Sequence, residues 1–277
     1  MPEPLREARL LCEAEQALPE LHAVGAGDVV LVGLPAPHKE TPNEDAVGVF
    51  PAPDASWLVL AVADGVGGRP GGAAAARVAL SCLRDRLASP GLERGEVRGA
   101  ILDAVEEANR KLCDLGTGSA TTLALAEIDG DTLRPYHIGD SEVLVVGQRG
   151  RPKLRTVAHS PVSYAVEAGL LEEAEAMHHE HRHLVTNALG SPDMRVEIGS
   201  PLRLAARDTV LVASDGLLDN LLPAEILDII RCGPLLRAAT TLLETACRRM
   251  EAPRPGEPSK PDDLSFALYR RRSRRRD

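Results

Sequence analysis

Aromatic side chains are nearly absent: the chain has one Trp, three Tyr and two Phe in 277 residues. Its core must therefore be filled by Leu, Val and Ala, within an apolar fraction of 44% that is enough for a substantial interior. No apolar run reaches membrane-spanning length. Residues 1–20 carry Glu and Arg through their middle and lack a secretory signal pattern. A cytoplasmic protein with no membrane partner is expected. The five cysteines (Cys12, Cys82, Cys113, Cys232, Cys247) are odd in number and show no CxxC spacing. That excludes a disulfide framework and a structural zinc site as leading readings, and four of them fall in helix-like stretches where buried, reduced thiols are expected. A phosphate-binding P-loop is also missing, so an NTPase has no support.

Charge is unevenly spread. The net charge is −9, yet residues 270–277 hold six Arg and one Asp, leaving about −14 on the rest. An acidic body does not suit nucleic acid, and the basic end reads as a solvated tail. Residues 1–22 read as a helix or irregular arm, 23–270 as one domain and 271–277 as the tail. Strands are expected at residues 28–34, 46–50, 57–63, 119–128, 133–138, 143–147, 153–157, 208–213 and 264–269. Helices are expected at 71–89, 96–115, 216–220, 224–230 and 235–250, with 160–190 polar and mostly helical. The strands come as hairpin sets, Asp129-Gly130-Asp131 being a strong turn signal. Helices are segregated from them, which predicts an α+β fold: a four-layer α-β-β-α sandwich with a central antiparallel β-sandwich flanked by helices.

Short acidic segments recur along this frame: Asn43-Glu44-Asp45, Asp64-Gly65, Gly139-Asp140-Ser141, Ser214-Asp215-Gly216 and Asp262-Asp263. Two of them end apolar runs, Leu58 to Ala63 before Asp64 and Thr209 to Ala213 before Asp215. One such Asp-Gly is more often a plain turn. Several together, converging at strand ends, would repel one another unless cations hold them. Oxygen donors without thiolates suit a hard divalent ion. Two such ions side by side would lower the pKa of a water placed for in-line attack on phosphorus, with no Cys or Ser nucleophile needed.

In order and spacing these segments resemble the metal-dependent Ser/Thr protein phosphatases of the PPM (type 2C) family, over residues 28–269. The resemblance rests on Asn43-Glu44-Asp45-Ala46, Val62-Ala63-Asp64-Gly65-Val66-Gly67-Gly68, Gly118-Ser119-Ala120-Thr121-Thr122, His137-Ile138-Gly139-Asp140-Ser141, Thr186-Asn187-Ala188-Leu189-Gly190, Ser214-Asp215-Gly216-Leu217 and Asp262-Asp263. It implies hydrolysis of phosphoserine and phosphothreonine in proteins, with two or three Mn²⁺ or Mg²⁺ ions. Asp64 would bridge two ions and, with Asp215, carry the catalytic role. Asp215 and Asp262 would bind the first ion, Glu44 or Asp45 with the Gly65 carbonyl the second, and Asp140 with Asp215 a third. Residues 160–185 would form a flap. The partners implied are a phosphorylated protein and a Ser/Thr kinase or its targets.

Three positions depart from that pattern. Glu40 stands where relatives carry a phosphate-binding Arg, which leaves Lys39 as the nearby cation. Arg69 replaces a His after the two glycines and is a second candidate for phosphate. Asp263 replaces an Asn. Two alternatives follow from these departures: a catalytically weak phosphatase-like binding module, and a hydrolase of small phosphoesters. His178, His179, His181 and His183 could suggest zinc, but in a polar flap they read as surface histidines.

Overall fold

In this computed structural model, residues 5–13, 18–66, 71–177 and 179–272 are described. The first half of the chain runs β1 (Arg9–Cys12), β2 (Glu20–Val24), β3 (Gly27–Leu34), β4 (Asp45–Pro51), β5 (Trp57–Asp64), α1 (Gly72–Leu87), α2 (Val97–Asp114), β6 (Leu123–Asp129) and β7 (Thr132–Ile138). It continues with β8 (Glu142–Val146), β9 (Pro152–Arg155), α3 (Pro161–Glu167), α4 (Glu173–Ala176), β10 (Glu197–Ile198) and β11 (Leu202–Arg203). The last elements are β12 (Thr209–Ala213), α5 (Asp215–Leu218), α6 (Pro223–Ile230), α7 (Leu235–Glu251) and β13 (Leu264–Arg271).

Two antiparallel sheets result. One has seven strands, in the order β1-β4-β5-β6-β7-β10, with β11 also on β7; the other has six, in the order β2-β3-β13-β12-β8-β9. Because side chains alternate along a strand, each central strand feeds two cores. Leu58, Leu60 and Val62 of β5 meet Val210 and Val212 of β12 between the sheets. Val59, Ala61 and Ala63 face α1 and α2, while Leu211 and Ala213 face α5, α6 and α7. Burial on both faces is why these strands read as unbroken apolar runs. The expected four-layer α-β-β-α order is the one observed. Ala75, Ala76 and Ala79 of α1 are fully buried in the same core as Ala104 and Ala108 of α2, so small side chains set the helix packing.

Some expectations change. Residues 9–12 and 20–24 form strands, not a helical arm. β1 pairs with β4, and β2 pairs with β3. As edge strands they are only half-buried, so their apolar pattern is weak. Arg9 of β1 joins the two edges, reaching His22 at 2.8 Å and Glu20 at 2.9 Å on β2. Helix is scarce in residues 160–190: α3 ends at Glu167, just before Gly169, whose φ of 70° leaves the helical region, and α4 is one turn. Strand β6 begins four residues later than expected, because Ser119 to Thr122 are taken up by other contacts. Cys82 is buried, but Cys232 is exposed and Cys12 lies on β1. Residues 273–277 of the basic tail lie outside the described residues.

Gly216 allows the late segments to meet. A Cβ there would collide with the Asp263 carbonyl oxygen. We therefore expect Gly216→Ala to lower stability by about 3 kcal/mol, an overpacking cost, read as a reduced midpoint in urea unfolding.

Candidate metal centre

Strand pairing delivers the carboxylates to one edge of the sandwich. Asp45 opens β4 directly opposite Asp64 at the end of β5. Asp140 follows β7, Asp215 follows β12, and Asp262 precedes β13. Hydroxyl groups fasten these turns together. The Asp64 N–H donates to Thr122 Oγ1 at 3.0 Å, and Thr121 Oγ1 donates to the Asp64 carbonyl at 2.8 Å. Thr122 and Ser141 hydroxyls meet at 2.7 Å, tying the Asp64 turn to that of Asp140. Ser214 Oγ, from the other sheet, donates to Asp45 Oδ2 at 2.7 Å. Gly65 sits against Gly72 at the start of α1, where any Cβ would strike backbone.

The result is a cleft of about 290 Å³ lined by Glu44, Asp64, Gly65, Thr122, Asp140, Asp215, Asp262 and Asp263. His183 and Val185 from the flap, and Lys260, complete its wall. Asp45 lies behind that wall and is 2% exposed. The structure thus brings together the expected Glu44, Asp64, Gly65, Asp140, Asp215 and Asp262.

Burial and mutual repulsion push these acids up. Burial drives Asp64 well above the usual carboxylate range, and the Asp45 and Asp215 charges add to it. Burial also raises Asp45 strongly, against the Ser214 hydrogen bond. Asp140 is pushed up to about 8 by burial and then by Asp215. Asp219, four residues after Asp215 on α5, is pushed up to about 6 by burial and Asp215. Asp215 Oδ1 is a buried oxygen without a hydrogen-bond partner, while Asp219 Oδ2 meets only the ammonium of Lys260 at 3.3 Å and the Arg182 guanidinium at 3.7 Å. Hard oxygen donors crowded in one cleft, one of them orphaned, fit a divalent cation such as Mn²⁺ or Mg²⁺.

Two lysines sit among these acids. Lys39 Nζ lies 2.8 Å from Glu44 Oε2 and 2.6 Å from Asp263 Oδ2. It therefore does not present a free ammonium for phosphate. Asp263 also accepts from the backbone N–H of Ala36 at 2.7 Å and of Glu44 at 2.6 Å, so it anchors the loop that carries Glu44. Lys260 contacts Asp215, lies 2.9 Å from Asp262 Oδ2 and 3.3 Å from Asp219 Oδ2. Burial works to lower the Lys260 pKa, but the surrounding carboxylates outweigh it and raise it. Glu40 is exposed. Arg69 and His178 lie outside the described residues.

Sequence reasoning missed Asp219 and Lys260; His183 is exposed, as expected, though it lines the cleft. Asp219 was findable, since residues four apart share a helix face. His181 is exposed, and His179 is half-buried and bonds its own loop, its Nδ1 accepting from the His181 N–H at 3.1 Å.

A second cluster, His137, His159 and Glu197, has cation-ligand spacing. Its protons argue otherwise. His137 Nε2 faces the Val157 carbonyl at 2.9 Å and must donate to it. His159 Nδ1 accepts from the Gly139 N–H at 3.0 Å and lies 2.9 Å from Asn187 Nδ2. Its Nε2 therefore carries the proton and donates to Glu197 at 3.2 Å. Neither Nε2 has a free lone pair, so this cluster braces the Gly139–Asp140 turn against the segment after the flap.

An antiparallel double sheet with a carboxylate cleft at its edge defines a class, that of metal-dependent phosphohydrolases. The family profile described as Protein phosphatase 2C matches residues 32–250. The chain is 31% identical to the protein phosphatase PhpP of Streptococcus pneumoniae over 217 residues, covering 75% of this chain and 87% of that one. The serine/threonine phosphatase of S. agalactiae superposes with a TM-score of 0.75 at 28% identity, covering 88% of this chain and 99% of the other. The PPM Ser-Thr phosphatase MsPP of Mycobacterium smegmatis, solved with cacodylate, gives a TM-score of 0.69 at 27% identity, covering 87% and 97%. The chain belongs to the protein phosphatase 2C family and is a metal-dependent Ser/Thr protein phosphatase of the bacterial PPM type.

The raised acids predict a pH dependence. Asp140 and Asp219 keep protons in the folded, metal-free state up to about pH 8 and about pH 6. The unfolded chain loses them near the ordinary value of 3.8. A folded pKa above the unfolded one gives stability that is complete below the unfolded value and is lost as pH rises through the folded one. Metal-free protein should therefore lose this contribution from about pH 4 to about pH 8. Mn²⁺ binds the deprotonated form, so the melting-temperature gain on adding it should grow across the upper part of that window. A gain independent of pH would contradict this.

Asp263→Ala would orphan two backbone N–H groups and leave Lys39 with Glu44 as its one acidic partner. We expect a loss of about 3 kcal/mol in urea unfolding, with Asp263→Asn losing less.

Proposed function

We propose that Asp64 and Asp215 are the catalytic carboxylates of a phosphoserine and phosphothreonine phosphatase built on this cleft. The observation that carries the proposal is the convergence of Asp64, Asp140, Asp215 and Asp262 on one cleft, with the buried Asp215 Oδ1 left unpaired. Asp64, Asp215 and Asp262 would hold one Mn²⁺ or Mg²⁺ ion. Glu44 and the Gly65 carbonyl, with Asp64, would hold a second, and Asp140 with Asp215 and Asp219 a third. When bound, the ions would supply positive charge to phosphoryl oxygens and acidify a water.

The remaining work belongs to the chain. Asp45, fixed by Ser214, lies opposite Asp64 and its charge acts on that residue. Lys39 and Asp263 fix the loop bearing Glu44, so the lysine acts as an orienting group, not as the phosphate clamp first expected. Loop residues His183 and Val185 stand over the cleft and limit water and substrate access. Phosphoserine and phosphothreonine arise from ATP-dependent kinases, so we place the reaction in the cytoplasm, opposite a Ser/Thr kinase. The catalytic domain would begin before residue 23, since β1 and β2 complete both sheets.

Purified protein assayed on a phosphothreonine peptide tests this reading. Activity should require Mn²⁺ or Mg²⁺ and vanish with EDTA. Asp64→Asn should lower kcat by about three orders of magnitude, the scale of losing one group that stabilises the transition state. Activity retained in that variant would refute the role of Asp64. A preference for small phosphoesters over the peptide would instead favour a metabolite hydrolase.

A further inference from the structure

Lys260 occupies an unusual position. Its ammonium is drawn into the cleft by carboxylates from three places along the chain: Asp215 at the start of α5, Asp219 one turn on, and Asp262 just before β13. The Lys260 side chain is 21% exposed and those of Asp215 and Asp219 are 15% and 17% exposed. This is a largely enclosed contact and not a surface ion pair. The residue that reaches these acids comes from the loop after α7, not from any acidic segment.

Its backbone is held independently of the ammonium. The Lys260 N–H donates to Asn220 Oδ1 at 2.9 Å, and Asn220 Nδ2 donates to the Lys260 carbonyl at 2.8 Å. Asn220 is fully buried and also donates to the Gly216 carbonyl. Asp262 Oδ1 in turn accepts from the Asp263 N–H at 2.9 Å. The loop path is thus set by amide contacts that do not involve the Lys260 ammonium.

All three acids that hold Lys260 are ones through which the proposed centre would take a cation. An ammonium and a divalent ion cannot share Asp215 and Asp262 at contact distance without strong repulsion. A lysine ammonium is a compact charge on a flexible stem, able to serve as a local counter-ion and to withdraw. We propose that Lys260 is a built-in competitor for the divalent cation at the Asp215 end of the cleft. It neutralises these acids in the metal-free protein and must swing out before the last ion binds. Lys39, at the other end, pairs with one proposed ligand, Glu44, and with Asp263, which is engaged in holding a loop. Lys260 touches three proposed ligands, so the Asp215 end meets the stronger competition and is the weaker for cations. The inference rests on the metal-centre reading above and adds what sets the order of filling.

Titration with Mn²⁺, following the free ion by electron paramagnetic resonance, tests it without any substrate. Wild type, Lys260→Met and Lys260→Arg are compared, with Lys260→Gln as a second neutral variant, and circular dichroism shows that each is folded. The neutral variants should bind their weakest ion about tenfold more tightly, a change of about 1.4 kcal/mol, while Lys260→Arg stays near wild type. Equal affinity in wild type and both neutral variants would overturn the proposal. So would weaker binding in the neutral variants, which would make Lys260 an organiser of the ligands. Absence of Mn²⁺ binding in every form would overturn the metal-centre reading itself, so the two failures are distinct.

Discussion

Repulsion among buried carboxylates is the constraint around which this molecule is arranged. Asp45, Asp64, Asp140, Asp215, Asp219 and Asp262 are gathered at one edge of the double sheet, several of them shielded from water. Such a cluster cannot persist with every member ionised and uncompensated. The structure answers with raised pKa values on the most buried acids, with Lys39 and Lys260 as internal cations, and with a donor set suited to divalent ions. Each answer is partial, which is why the site remains available for metal.

Holding the cluster in shape falls to neutral groups. Thr121, Thr122, Ser141 and Ser214 join the turns by short hydroxyl contacts and span both sheets. These groups satisfy backbone and carboxylate atoms without adding charge. Gly65 and Gly216 act by having no side chain, letting α1 and the approach to β13 come into contact with the acidic turns. The packing of Leu, Val and Ala on both faces of β5 and β12 keeps the strand ends in register beneath them. Core and site are therefore one construction, since the strands that fill the three apolar clusters are those that end in Asp64 and Asp215.

The acidic segments were legible in the sequence because each is short and local, two of them an apolar run, a carboxylate and a glycine. The strand pattern was legible for the same reason wherever both faces are buried. Edge strands β1 and β2 were not, because half-exposed strands with charged residues carry little periodic signal. The flap was overread as helix, its polar composition being compatible with turns. Lys39 was read as a phosphate ligand from its place beside Glu40, where relatives carry an Arg, whereas its ammonium lies against Glu44 and against Asp263, 224 residues away in sequence. The substitution of Asp263 for Asn then makes sense as the second half of an ion pair that no local rule could reveal.

By itself the sequence determined the chemistry: oxygen ligands without thiolates, no P-loop, a fold of hairpins and segregated helices, and an ordered set of acidic turns. Those follow from residue type and short-range pattern, which a linear chain displays directly. Tertiary structure alone decided which charges offset which. Lys260 faces Asp215 and Asp219, Lys39 faces Asp263, and His159 receives the Gly139 N–H, all through contacts between segments distant in the chain. Electrostatic balance depends on distance in space and on burial, and neither is written in the order of residues.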